Sequence, residues 1–569
     1  MPGVKSRVCA HELMGSVRAM TVHRISDDYV DDYVRLVPTI ATELGIPGYD
    51  DQWPDLSPDG NAAVADLARR ALADVSAVEP GDDAERVAKA VFTERLGVEV
   101  ELYDAGLVDS DLNVLASPPQ SLRSTFDLMP TATADDWSTI ATRLSRLPEA
   151  LSQYRVSLLH AAAKGNVSAV RQVTKVADQC QKWSQGFFTD FVAGAEDVPE
   201  SVRTDLDAGA AAASAAYGEL AEFLRAELLP QAPKKDAVGE EAYRLLSRRY
   251  LGAALDLREA YEWGWTEFLR LEAEMKEVAN RIKPGATLAE AADALDNDPR
   301  YQVQGVEAFR EWMQKLSDQA LSDLRGVHFD IPDEIMRLDC RIAPPGGSAG
   351  AYYTNPTDDF GRPGAMWWAL PPDKDEFTTW REASIVYHEG VPGHHMQIAT
   401  AMYHAERLNK FQRMLSWVPA YSEGWALYAE RLMREFGYLS DDGNLFGMLN
   451  ENIFRAARVI IDIGMHLELE IPGGTGFHEG ARWTPDLGLE FMLTRTITEH
   501  DLVVDEVDRY LGWAGQAPAY KLGERLWLEA RDDAKARAGE AFDLKHFHME
   551  ALYLGQMGMD TMRECLSRI

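Results

Sequence analysis

The sequence predicts a mainly α-helical protein with one small β-sheet, and three observations carry that expectation. Apolar residues recur at intervals of three and four over most of the chain, the spacing of an amphipathic helix. After about Asp330 the character changes to short, alternating, aromatic segments bounded by turn residues, as strands are. No repeat or low-complexity tract interrupts either pattern. At 569 residues the chain is too long for one ordinary core, so two or more structural units are expected.

Taken in order, residues 1–19 lack periodicity and read as an extension, so that the ordered chain starts near Met20. Residues 20–329 form a helical N-terminal region. Within it, DDYVDDYVRLVPTIATEL opens with acidic residues and spaces its apolar ones helically. ADDWSTIATRLSRLPEALSQYRVSLLHAAAKG, DLDAGAAAASAAYGELAEFLRAELL and LDLREAYEWGWTEFLRLEAEMKEVANRI repeat the pattern. Tyr261, Trp263 and Trp265 in the last of these are expected to pack a core. Residues 330–569 are expected to hold the small sheet plus the helical metal-binding catalytic region, as one continuous structural unit. EIMRLDCRIAP, AYYTNP and AMWWALP are the strand candidates, and helices resume at Glu376. Long helical hairpins of this kind often form two lobes with a cleft between them.

Composition narrows the function. Lysine plus arginine number 57 and aspartate plus glutamate 92, a net charge of −35. That field repels nucleic acid and anionic membranes. Cys9, Cys180, Cys340 and Cys565 form no C-x-x-C pair, which argues against a thiolate zinc site and a disulfide framework. No signal-peptide core and no run of eighteen apolar residues is present, so a cytoplasmic location is expected.

The chemistry concentrates in HEGVPGHH, His388 to His395. Zinc proteases commonly carry H-E-x-x-H on one helix, with both histidines facing the ion. Here Pro392 stands four residues after His388. On an ideal helix His394 would point roughly 240° away from His388, and His395 would lie about 10.5 Å along the axis. Neither fits an unbroken helix. Pro392, however, lacks an N–H and clashes with the carbonyl of residue 388, and Gly390 and Gly393 permit unusual backbone angles. The insert GVPG therefore reads as a bulge that can bring a displaced histidine back to the ion. The third ligand in such sites is commonly a carboxylate on the next helix. Glu423 is the candidate, in the early turns of a helix that Pro419 suits as a start. A later helix places Arg458, Asp462 and His466 four apart on an apolar face. Such groups need partners or a function: either a self-satisfied network, or support for a ligand or substrate.

H-E-x-x-P-G-H-H, the later S-E-G-W-A-x-Y-A-E and R-x-x-x-D-x-G-x-H together resemble the bacterial domain of unknown function 885 family. The closing GQAPAYKLGERLWLEAR and FDLKHFHMEALYLG resemble that family's C-terminal pattern. The family resembles the mainly helical zinc carboxypeptidases of the Taq type and, more distantly, the oligopeptidases. The resemblance implies a two-lobed metallopeptidase-like fold and one zinc ion held by two histidines and a glutamate. Its second histidine follows a glycine, which favours His394, with His395 as the alternative, beside His388 and Glu423. His466, in D-I-G-M-H, resembles the histidine of a D-x-H-W pattern, although the spacing departs and the tryptophan is missing.

The expected activity is a zinc-dependent metallopeptidase, a carboxypeptidase or oligopeptidase acting on short peptides. The metal would polarise the scissile carbonyl. Glu389 would take a proton from the attacking water and pass it to the leaving amine, and His466 and Tyr520 would stabilise the developing oxyanion. The rival readings are a metal-binding protein without hydrolysis and a helical scaffold or interaction protein.

Overall fold

The computed structural model describes residues 20–343, 350–357, 359–371 and 374–568. The extension expected over 1–19 lies outside them. The expected helices are present, with local causes at their ends. Val22–Leu36 is capped by the Thr21 hydroxyl, which accepts from the Arg24 N–H, and Pro38 opens the next helix, Pro38–Glu43. Ala134–Ala163 starts at a capping box of Thr133 and Asp136 and runs 30 residues through Pro148. In Leu257–Ile282, Tyr261 and Trp265 are buried and Trp263 packs against the core's edge.

Among the described residues, five short strands form two sheets rather than one. β1 (Gln302–Gln304) pairs antiparallel with β5 (Glu376–Thr378). β2 (Leu338–Ile342), β3 (Gly350–Thr354) and β4 (Gly364–Ala369) make a three-stranded sheet in the order β2-β4-β3. β2 is parallel to β4 and β3 antiparallel, with Tyr353 opposite Met366. β3 is an edge strand of this sheet, and it packs beside the helix that carries His388.

The apolar core does not part at residues 329 and 330. One large core draws on Val22–Leu96 and on Tyr243–Leu566. A second, between Leu112 and Leu228, is built by the helices of an inserted unit. The N-terminal helices therefore share a core with the metal-motif region, because burial follows spatial packing and not the change from helical to strand-like sequence. Among the described residues no helix is long and apolar enough to cross a membrane.

Candidate metal centre

Five helices of the large core build the site. They are Thr379–Glu389, His394–Tyr403, Pro419–Glu435, Asp442–Leu467 and Ala519–Ala538, here named after His388, His394, Glu423, Arg458 and Tyr520. The insert GVPG ends the first helix and starts the second. Gly390 closes the first helix by donating to the Val386 carbonyl at 2.9 Å, and the Gly393 N–H reaches back to the Tyr387 carbonyl at 3.1 Å. The fold-back is so tight that a Cβ on Gly393 would lie 1.8 Å from the His388 carbonyl oxygen. Only glycine fits before His394. Trp425 locks the insert to the Glu423 helix, its indole N–H donating to the Pro392 carbonyl at 2.8 Å.

Close helix packing sets the other groups. A Cβ on Gly424 would meet the Gly523 backbone at 2.4 Å, so the Glu423 and Tyr520 helices touch backbone to backbone. Gly447 gives the Arg458 helix the same approach to the Trp380 carbonyl at the start of the His388 helix.

The result brings His388, His394 and Glu423 together, with one donor atom from each within 4.8 Å of the others. His388 Nε2 lies 3.3 Å and His394 Nε2 3.7 Å from Glu423 Oε2. Donors held about 2.1 Å from one ion at a tetrahedral angle stand roughly 3.4 Å apart, so these three atoms suit a shared cation. The two imidazoles meet edge to face, with ring centroids 4.9 Å apart. Behind them, His388 Nδ1 donates to Glu430 Oε1 at 2.9 Å, and the Ser384 hydroxyl donates to the other Glu430 oxygen. This fixes the tautomer that presents Nε2 to an ion, the usual support of a histidine ligand. Ser422 Oγ sits 3.4 Å from His394 Nδ1.

The electrostatics suit a cation. Burial disfavours a charged His388, but hydrogen bonds to Glu423 and Glu430 outweigh it and raise its pKa to about 10. Burial likewise opposes a charged Glu423, yet the two histidines hold its carboxyl far below the usual range. Two carboxylates thus keep a proton among the donors, and a divalent ion can take that proton's place. Glu389, beside His388, is 7 % exposed. Burial pushes its carboxyl up, the two imidazoles pull it down, and Glu423 pushes it up again.

Tyr520 is also brought to the site. Its ring faces the Arg458 guanidinium at 4.9 Å. Burial and then the Glu423 charge raise its pKa, so the hydroxyl keeps its proton and can donate. Two residues that the sequence reading did not assign belong here. One is Glu430, seven residues and two turns after Glu423. The other is Arg455, whose charge is felt by both Glu389 and Tyr520 and whose buried Nε has no partner.

The structure separates the two candidate histidines. His395 Nε2 donates to the Ile335 carbonyl at 2.8 Å and Nδ1 accepts from the Tyr353 hydroxyl at 2.9 Å. Burial pushes its pKa down to about 4, against the Ile335 hydrogen bond, so the ring stays neutral with neither nitrogen free for an ion. Metal titrations of His394→Ala and His395→Ala should therefore show the larger loss of affinity at His394. A larger loss at His395 would reverse the assignment.

His466 does not face a substrate, contrary to expectation. It is fully buried, its Nε2 donating to the Tyr510 carbonyl at 2.9 Å and its Nδ1 accepting from the Val238 N–H at 3.4 Å. Asp462 Oδ2 accepts from the Tyr243 hydroxyl and the Gly515 N–H. Arg458 binds Glu506 at 2.9 Å and the Tyr510 hydroxyl at 2.8 Å. Of the two readings open for this face, His466 follows the self-satisfied network, whereas Asp462 keeps one buried oxygen without a partner among the described residues.

Solved structures share the fold. A "putative lipoprotein" from Colwellia psychrerythraea superposes with a TM-score of 0.79 at 21% identity, over 96% of this chain and 98% of that one. A "putative lipoprotein of unknown function" from Shewanella oneidensis gives 0.75 at 17% identity, over 96% and 99%. No functionally curated protein matches the chain. The family described as "bacterial protein of unknown function (DUF885)" matches residues 38–566, nearly the whole length, and the chain belongs to it.

Proposed function

We propose that this protein is a zinc-dependent peptidase of the carboxypeptidase or oligopeptidase class, acting on short peptides. The observation that carries the reading is the convergence of His388, His394 and Glu423 beside an acid, Glu389, that is not one of the three. Two nitrogens and one carboxylate oxygen suit zinc, and three protein ligands are the number that catalytic zinc sites keep. Zinc bound there would supply a Lewis acid that polarises a carbonyl and acidifies water. Glu389 accepts the attacking water's proton and delivers it to the leaving amine. Tyr520 and Arg455 would donate to a developing oxyanion. A binding role alone needs no such base. The resemblance of HEGVPGHH and SEGWALYAE to the Taq-type carboxypeptidases points the same way.

The edge strand β3 supports a short, extended substrate. A peptide pairing with it would lie along the His388 helix, with alternate side chains turned toward the protein. The buried site excludes a folded chain. The test is to incubate zinc-loaded protein with a mixed peptide pool and, separately, with intact folded proteins. Peptides should be cleaved, a chelator should abolish cleavage, and added zinc should restore it. Cleavage that survives complete metal removal, or rapid internal cleavage of folded proteins with peptides untouched, would overturn the reading. We also propose a cytoplasmic location, from the unpaired, buried Cys180, Cys340 and Cys565. The two structural neighbours are named as lipoproteins, and cell fractionation decides the matter for this chain.

A further inference from the structure

A cavity of about 190 Å³ lies beside the His388 helix, upstream of the metal ligands, lined among others by Phe309, Ala351, Trp368, Phe377, Glu382 and Ile385. Ala351 belongs to the edge strand β3 and Trp368 is its partner on β4. Glu382 and Ile385 lie six and three residues before His388 on the same helix. The walls are aromatic. Phe309 stacks on Phe377 with centroids 4.4 Å apart and meets Trp368 edge-on at 6.0 Å.

Glu382 has no part in the mechanism above and is poorly compensated. Burial, and then the nearby Glu451, push its carboxyl up to about 7, against weaker opposing effects of Lys374, Arg381 and a hydrogen bond from Trp368. Arg381 is committed to Asp296 at 2.9 Å. The Lys374 ammonium sits 5.5 Å from the Phe377 ring centroid, over its face. Glu451 is held by Arg455. A carboxylate in an aromatic cavity costs stability unless a partner arrives, and an apolar residue would fill the same place better.

We infer that this cavity is a subsite for a basic side chain, lysine or arginine, of the peptide substrate, with Glu382 as the group that recognises its charge. The inference rests on the peptidase reading and adds the substrate class. An aliphatic stem would lie against Phe309, Trp368 and Phe377, and its cationic head would reach Glu382, as long basic side chains do at apolar surfaces. Six helical residues span about 9 Å along the axis and turn roughly 240° about it, so the cavity opens on a different face of the helix from His388, and a position-by-position titration finds which residue of an extended peptide reaches it. The acidic surface of the chain, −35 overall, favours the approach of such peptides.

The test measures binding, so that it does not depend on turnover. Alanine hexapeptides carrying one lysine, one norleucine or one glutamate at each position in turn are titrated calorimetrically into zinc-loaded Glu389→Gln protein, and then into Glu389→Gln/Glu382→Gln. At one position lysine should bind about 10- to 100-fold more tightly than norleucine, the span of one charge-assisted contact. Glu382→Gln should erase that difference and leave the norleucine peptide unchanged. Equal binding of lysine and norleucine at every position overturns the subsite alone. An equal loss for both peptides in the Glu382 variant also overturns it, since the contact would then be packing and not charge. If no peptide binds, the peptidase reading falls and the subsite with it.

Discussion

His388→Ala should yield a folded protein without stoichiometric metal, where the parent should hold about one zinc ion per chain. The substitution removes one of two nitrogen donors and leaves His394 and Glu423, a pair too sparse to hold the ion. It also strips Glu430 of an imidazole partner. Glu430 is fully buried, and removing one member of a buried hydrogen-bonded pair costs about 3–5 kcal/mol. The Ser384 hydroxyl still donates to that carboxylate, so the loss should fall toward the lower end. Elemental analysis measures the metal, and far-UV circular dichroism with a thermal melt shows whether the chain is folded. His388→Gln serves as a companion, because its amide can still donate toward Glu430 while offering a poor ligand. Full zinc occupancy in either folded variant would show that the ion is bound elsewhere.

The convergence of His388, His394 and Glu423 was legible because three unusual things coincide in one short segment. Histidines, helix breakers and a following helix-borne acid meet between His388 and Glu423, and ideal-helix geometry forces the insert to be a bulge. Geometry alone could not choose between His394 and His395. That choice depends on Ile335 and Tyr353, 60 and 42 residues before His395, which occupy both nitrogens of His395. Glu430 escaped notice although its signal was present: it shares a helix face with Glu423, at i and i+7. An acid on a helix ordinarily reads as solvated surface, and only burial with His388 and Ser384 distinguishes it.

His466 failed as an expectation for the opposite reason. Arg458, Asp462 and His466 do share a buried face, as their spacing requires. The partners that silence His466 are backbone groups of Tyr510 and Val238, 44 and 228 residues away. A main-chain carbonyl or N–H carries no side-chain signature, so a sequence shows the demand for partners and not their supply. The division into cores was hidden similarly. The change of texture near Asp330 marks the sheet, whereas the separately cored unit, Leu112 to Leu228, is as helical as its surroundings.

Glu389→Gln should keep the zinc and lose most of the turnover. Glutamine preserves the shape of the side chain in a site that leaves Glu389 only 7 % exposed, so the neighbouring helices have no reason to repack. Glu389 is not among the three donors that converge, so metal content should equal the parent's. What the amide cannot do is accept a proton from the attacking water, a contribution typically worth about 10²–10⁴-fold. The loss should appear in kcat with KM little changed, because the interaction removed operates in the transition state and not in substrate binding. The pH profile gives an independent check. A carboxylate base works only when deprotonated, so the parent's activity falls on the acid side as Glu389 takes up a proton, and the residual rate of the variant should lack that limb. If the variant hydrolyses a substrate of the parent at an undiminished rate, the base is another group. If it loses zinc together with activity, Glu389 holds the metal site and its role as base has no support.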